Sequence, residues 1–226
     1  MASITFQNIS KVYPNGFKSV DNISLHIEDG EFVIFHGPTG CGKSTILRMI
    51  GGLEDITSGK IYLGEDCLNE IFPRDRQLAM AFQNYVLYRH FNVYENIALG
   101  LRLRDYPRNV IDARVKAAAT FFGISHLLDK KVKSLSDQER QKVALCRAVV
   151  FQPKALLVDE DFAQQDDSLR SDMLSDILRI NRDLEITVLY VTNEKEEALS
   201  LNRKIVYMRD GKITAIAEPS EDTTEK

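Results

Sequence analysis

The sequence predicts an α/β fold: a mixed central sheet, an antiparallel β subdomain at the N-terminal end and a helical subdomain inserted in the middle. Three observations predict it. Short β-like runs open the chain and return near its end; the glycine-rich octet GPTGCGKS (37–44) joins an apolar run to a helical pattern; and from about residue 84 to 152 no convincing strand is found. The length, 226 residues, suits one large domain carrying such an insertion.

Taken in order, SITFQNI, VDNISLHIE and EFVIFH read as strands. The second alternates Ile23, Leu25 and Ile27 with polar residues, the pattern of a half-buried strand. The third is more continuously apolar, which suits burial on both faces. After the octet, STILRMIGGL has helical spacing, and Gly51, Gly52 and the stretch from Asp55 to Gly59 end it. KIYL and LAMAF are the next strands. VYENIALGLRLR, NVIDARVKAAATFFG and SDQERQKVALCRAVVF read as the helices of the insertion. Strand character returns at ALLV (155–158), followed by a helix near 168–182, the strand TVLYVT, a short helix at EKEEALSL and a hairpin, IVYM-RDG-KITAIA. The domain is thus placed at 1–217. The polar, acidic tail 218–226 is expected to be disordered.

Composition narrows the function classes. Apolar residues make up 44% and charged residues 27%, as in ordinary globular proteins. The net charge of −4 supplies no global basic field, so nucleic acid is not an expected partner. No apolar run approaches the roughly 20 residues that cross a bilayer. The opening MASITFQNIS lacks a basic region followed by an apolar stretch, so it does not read as a signal peptide. Cys41, Cys67 and Cys146 are few, odd in number and widely spaced, which argues for a reduced compartment and against a disulfide framework or a zinc site. His26, His36, His90 and His126 show no metal spacing.

The octet carries the chemistry. GxxxxGK[ST] between a strand and a helix is the phosphate-binding loop, and it makes the fold that of a P-loop NTPase. Gly37, Gly40 and Gly42 lack Cβ atoms, so the backbone can curl with its N–H groups inward, and the helix start adds to the anion site. Pro38, Thr39, Cys41 and Thr45 complete the nucleotide-binding set. Lys43 supplies a point charge between the β- and γ-phosphates, and the Ser44 hydroxyl is a Mg²⁺ ligand. Chance would produce the four fixed positions in roughly one chain of this length in a hundred, before the strand-and-helix context is required. A second motif, ALLVDE (155–160), is an apolar strand ending in two carboxylates. Asp159 is the metal-side carboxylate, and Glu160 is placed to orient or deprotonate the attacking water.

With these motifs in place, the chain resembles the ATP-binding subunits of ABC transporters, from about Ile4 to Ile216. The resemblance implies that Tyr13, in SKVYPNG, stacks on adenine. AFQNYVLYRHFNVYENIALGL is similar to the family's Q-loop segment, which implies that Gln83 reaches the Mg²⁺ and the water and that the residues after it touch a membrane subunit. SLSDQERQKVALCRAVVFQPKALLVDE is similar to the run from the signature motif to the acidic pair, TVLYVTNEKEEALSL to the switch segment, and VYMRDGKI to the closing hairpin. The implied partners are membrane-spanning subunits and a second nucleotide-binding subunit, the two sandwiching ATP between the phosphate loop of one and the signature of the other. The implied location is the cytoplasmic face of the membrane. The Q-loop wording is most similar to ATPases of importers for sugars and polyamines. Those carry a C-terminal β-rich regulatory domain, which is not expected here because the sequence stops just after the hairpin; that also weakens the sugar assignment.

Several positions depart from the family pattern. The signature, usually LSGGQ, reads Leu135, Ser136, Asp137, Gln138, Glu139. Glycine there allows close backbone approach to the γ-phosphate across the pair, whereas Gln138 adds a side chain and Asp137 a like charge. Two like charges at ~4 Å repel by about 4 kcal/mol at an effective dielectric near 20. The switch histidine is replaced by Asn193, which can donate a hydrogen bond but does not titrate near neutrality. Asp161 stands where proline usually follows the catalytic glutamate, Asp166 alone keeps the turn after it, and Arg89 replaces a common proline. Two expectations follow: a working ATPase that tolerates these changes, or a subunit that holds ATP, hydrolyses it poorly and pairs with an intact partner.

Overall fold

A computed structural model describes residues 2–82, 87–159 and 167–219. The strands are β1 (Ile4–Val12), β2 (Lys18–Ile27), β3 (Phe32–His36), β4 (Ser58–Leu63), β5 (Asp66–Cys67), β6 (Leu78–Phe82), β7 (Ala155–Asp159), β8 (Thr187–Thr192), β9 (Lys204–Arg209) and β10 (Lys212–Ala217). The helices are α1 (Lys43–Gly51), α2 (Val93–Arg102), α3 (Arg108–Phe121), α4 (Asp137–Val149), α5 (Asp167–Leu184) and α6 (Lys195–Ser200). They divide into two units: Met1–Met80 with Lys154–Asp161 and Glu185–Lys226, and Ala81–Pro153 with Phe162–Leu184.

The first unit holds the antiparallel sheet β2-β1-β4-β5 and most of a six-stranded sheet ordered β10-β9-β3-β8-β7-β6. In the larger sheet β3 runs parallel to β8 and β9, β7 runs parallel to β8, and β10 closes antiparallel on β9. The sheet is therefore mixed, as the sequence predicts. Alternate residues of the parallel strands (Val33 and Phe35, Leu189 and Val191, Val206 and Met208) join a core with Ile46, Leu47, Met49 and Ile50 of α1 and with Ile4, Phe6 and Ile9 of β1. Their strand neighbours Ile34, Tyr190 and Ile205 are buried too, which is why β3 and β8 read as continuous apolar runs. Each such side chain contributes about 1.5–3 kcal/mol of transfer free energy. The α1 helix ends where Gly52 enters the left-handed region at φ 74°, its N–H returning to the carbonyls of Arg48 and Met49.

The second unit packs α2, α3, α4 and α5. Both α2 and α4 start in capping boxes. Asn92 accepts from the N–H of Glu95 while the Glu95 carboxylate accepts from the N–H of Asn92, and Ser136 and Glu139 do the same. Asn96, fully buried, accepts from the Tyr88 N–H and donates to the Tyr88 and Asn92 carbonyls. Arg179 of α5 donates to the Phe121 carbonyl at 2.5 Å with its guanidinium 4.4 Å from the Phe121 ring, tying α5 to the end of α3. The helix near 168–182 thus groups with the helical insertion rather than with the sheets. The acidic tail of the sequence lies, beyond residue 219, outside the described residues.

Candidate nucleotide-binding site

The phosphate loop connects β3 to α1, and its shape follows from what presses on it. A Cβ on Gly37 would stand 2.2 Å from the Met208 carbonyl oxygen, and one on Gly42 would stand 2.3 Å from that of Ser19. Gly42, the N-cap of α1, also has φ 105°. At Gly40 there is room for a Cβ, but φ is 82°. Two further hydrogen bonds pin the assembly: Gly211 N–H to the Cys41 carbonyl at 3.1 Å, and Asp21 N–H to the Gly211 carbonyl at 2.8 Å. The turn between β9 and β10 therefore braces the loop from one side and the start of β2 braces it from another.

Lys43 is 7% exposed, and its ammonium donates to the carbonyls of Gly37 at 2.6 Å and Pro38 at 3.0 Å, with the Cys41 Sγ at 3.7 Å. The cation is thus held at the mouth of its own loop. One residue on, the Ser44 hydroxyl donates to Asp159 Oδ1 at 2.8 Å. Strand order explains the meeting: β8 lies between β3 and β7, and α1, leaving β3, reaches across to the end of β7. A hydroxyl and a carboxylate in contact are hard oxygen donors of the kind Mg²⁺ takes.

A cavity of about 310 Å³ opens over this pair. Tyr13, Thr39, Gly40, Gly42, Lys43, Ser44, Thr45, Asp159 and Asn193 of the sequence-predicted set line it; Gly37, Pro38 and Cys41 lie beneath, as acceptors or neighbours of Lys43. Phe17, Ser19 and Val191 also line it, and sequence reasoning missed all three. Ser19 Oγ is 2.9 Å from Thr45 Oγ1, a contact across 26 residues that no local motif announces. Phe17 had a weak signal, an aromatic residue directly after a turn glycine. Gln83, Glu160, Asp161 and Asp166 lie outside the described residues.

His36 closes β3, its ring edge-on to Tyr207 with centroids 5.6 Å apart. Burial, and after it the charge of Lys43, hold its pKa below the ordinary imidazole value.

The signature positions belong to the second unit. Ser136 is the N-cap of α4, its hydroxyl accepting from the Glu139 N–H at 3.2 Å and its own N–H donating to the Glu139 carboxylate at 2.8 Å. Asp137 accepts from Arg140 at 2.9 Å, and the Gln138 amide donates to Asp172 of α5 at 2.5 Å. Ser136, Asp137, Gln138 and Glu139 are therefore all engaged within the unit.

A strand, a glycine loop, a helix whose second residue meets a strand-end carboxylate, and a mixed parallel-cored sheet define an α/β protein of the P-loop NTPase fold. The chain matches the ABC transporter family over residues 20–163, and it belongs to that family. It is similar to the oligosaccharides import ATP-binding protein MsmX of Bacillus subtilis (strain 168), 45% identical over 98% of this chain and 60% of that protein. It is also similar to the maltose/maltodextrin import ATP-binding protein MalK of Vibrio vulnificus (strain YJ016), 44% identical over 98% and 59%. The chain thus spans about 60% of the length of these relatives. Among solved structures, the dimeric post-hydrolysis state of the ATP-binding cassette MJ0796 bound to ADP and Pi is similar with a TM-score of 0.77 and 25% identity, covering 95% of this chain and 98% of that one.

Proposed function

We propose that this chain is the ATP-binding subunit of a solute importer, binding Mg-ATP and hydrolysing it to drive transport through membrane-spanning partners. The observation that carries the reading is the Ser44–Asp159 hydrogen bond, which joins the phosphate loop to the acidic strand end across 115 residues. A carboxylate so placed has its use beside a phosphate-bound cation. Loop amides and Lys43 hold the β- and γ-phosphates, and Tyr13 packs on the adenine. Ser44 and Asp159 are the donors that would hold Mg²⁺, with Gln83 as a further ligand; bound there, the ion supplies charge neutralisation on the phosphate oxygens. Glu160 orients the attacking water, and Asn193, lining the same cavity, donates a hydrogen bond toward the γ-phosphate without titrating. Ser136, Asp137, Gln138 and Glu139 face the ATP of a second nucleotide-binding subunit.

The names of the relatives support an importer and, among solutes, a sugar. The dimeric, ADP-bound neighbour supports pairing of two such subunits and turnover of ATP. Attachment at the cytoplasmic face runs through the partner subunits; no helix among the described residues is long and apolar enough to cross a membrane. The test is nucleotide binding and ATP hydrolysis by the purified chain beside Lys43→Ala. Loss of ATP affinity in that variant is the expected result, and unchanged affinity overturns the site assignment.

A further inference from the structure

We propose that Phe17 is a second base-contacting residue, its ring forming with that of Tyr13 an aromatic wall that receives a planar nucleobase. The inference rests on the nucleotide-binding reading and adds to it the residue that sets preference among bases. Both rings line the cavity over the phosphate loop. They are near-parallel, at 17°, with centroids 6.5 Å apart. Stacked bases in a duplex rise about 3.4 Å, so rings at this spacing do not cover one another face on face. Each keeps aromatic surface for a ligand. Phe17 is 54% exposed, a large apolar side chain with no core to join.

The backbone holds this wall ready. Tyr13 and Phe17 end a turn closed by the Tyr13 N–H to the Phe17 carbonyl and the Gly16 N–H to the Tyr13 carbonyl, both at 2.9 Å. Asn15 Oδ1 accepts from the Phe17 N–H at 3.0 Å, and β1 and β2 pair directly behind at Val12 and Lys18. The Tyr13 ring is set by Lys11, whose ammonium lies 5.1 Å from the ring centroid and is itself fixed by Glu54 at 3.0 Å and the Asp55 carbonyl at 2.8 Å. Little rotamer freedom is left for Tyr13 to lose on binding.

Stacking reads the face of a base rather than its hydrogen-bonding edge, so it tolerates different edges and favours larger rings. Ser19 Oγ, which lines the same cavity, is already engaged with Thr45 Oγ1. The site therefore takes ATP and GTP with similar affinity and the smaller-ringed UTP more weakly.

Calorimetric titration of the full chain, with Mg²⁺ present, tests the proposal using ATP, GTP, UTP and inorganic tripolyphosphate against wild type, Phe17→Ala and Phe17→Tyr. Phe17→Ala is expected to weaken ATP and GTP by roughly 5- to 100-fold, to weaken UTP less, and to leave tripolyphosphate unchanged; Phe17→Tyr retains wild-type affinities. Wild type that binds ATP and tripolyphosphate, with ATP affinity unchanged in Phe17→Ala, overturns the aromatic wall alone. An equal loss for ATP and UTP marks a ribose contact, and a loss for tripolyphosphate marks a damaged loop; either overturns the proposal. Wild type that binds neither ATP nor tripolyphosphate overturns the phosphate-loop reading and the wall with it.

Discussion

Gly42 holds φ at 105° with the Ser19 carbonyl oxygen where a Cβ would stand. Two independent penalties therefore apply to any other residue there: the left-handed backbone and a backbone clash that no side-chain rotation relieves. Gly42→Ala is expected to lower stability by about 2 kcal/mol or more, read as a drop of several degrees in the thermal midpoint, and to weaken nucleotide binding because α1 starts at this residue. A variant with an unchanged midpoint and affinity would show that the loop does not need this approach. Gly40 is different: its surroundings are open, so only the φ of 82° constrains it. The octet GPTGCGKS presents three glycines alike, and packing separates their reasons.

At the scale of elements, the contrast is between the segment that holds phosphate and the segments that would act on it. β3, the loop and α1 form one braced unit. α4 begins instead in a capping box, with Asp137 paired to Arg140 and Gln138 to Asp172. In place of the glycine pair this chain has Asp137 and Gln138, and the first turn of the helix carries two acidic residues, Asp137 and Glu139. They favour the helix through its dipole. The end of β8 carries the other change. Asn193 lines the cavity with Lys43 and Asp159 but offers no group that titrates near neutrality. Asn193→His is expected to raise kcat for ATP hydrolysis by roughly 10²-fold while leaving ATP affinity within about a factor of two. Steady-state rates beside a binding titration check it, and equal kcat values in the two proteins would refute it.

For the molecule as a whole, two groups, the half-buried His36 and the buried Asp176, push stability in opposite directions with pH. The folded chain holds the His36 pKa below its ordinary value, through burial first and Lys43 second. The unfolded chain then binds that proton more readily, so stability rises with pH across the window and falls as pH drops through about 6.5. Asp176 is raised by burial, so the folded chain keeps its proton longer than the unfolded one. Its contribution is full below the ordinary carboxylate value near 3.9 and is lost as pH rises above it. His36→Val is expected to flatten the fall of the thermal midpoint as pH drops through about 6.5; an equally steep fall in the variant would remove His36 as its cause. The same scale governs the activity reading, since this chain spans about 60% of the length of the relatives it matches.

Much of the fold was legible because its signals are local. Alternation marked β2, continuous apolar runs marked β3 and β8, helical spacing marked α1 to α4, and glycines at 51 and 52 marked the end of α1. The two-residue β5 and the single-turn 3-10 helices escaped, being too short to show a period. At the cavity, the residues of GPTGCGKS and Asp159 after ALLV were legible as motifs because a loop that curls around phosphate needs its glycines and its lysine at fixed spacing. What the sequence by itself determined is the capacity to cradle phosphate and the departures at 137, 138 and 193. What only the tertiary structure decided are contacts between residues far apart in the chain: Ser44 on Asp159, Ser19 and Met208 pressing on the glycines, and Gln138 on Asp172. Hydrogen bonds and close approaches of this kind depend on strand order and helix docking, which no local run of residues encodes.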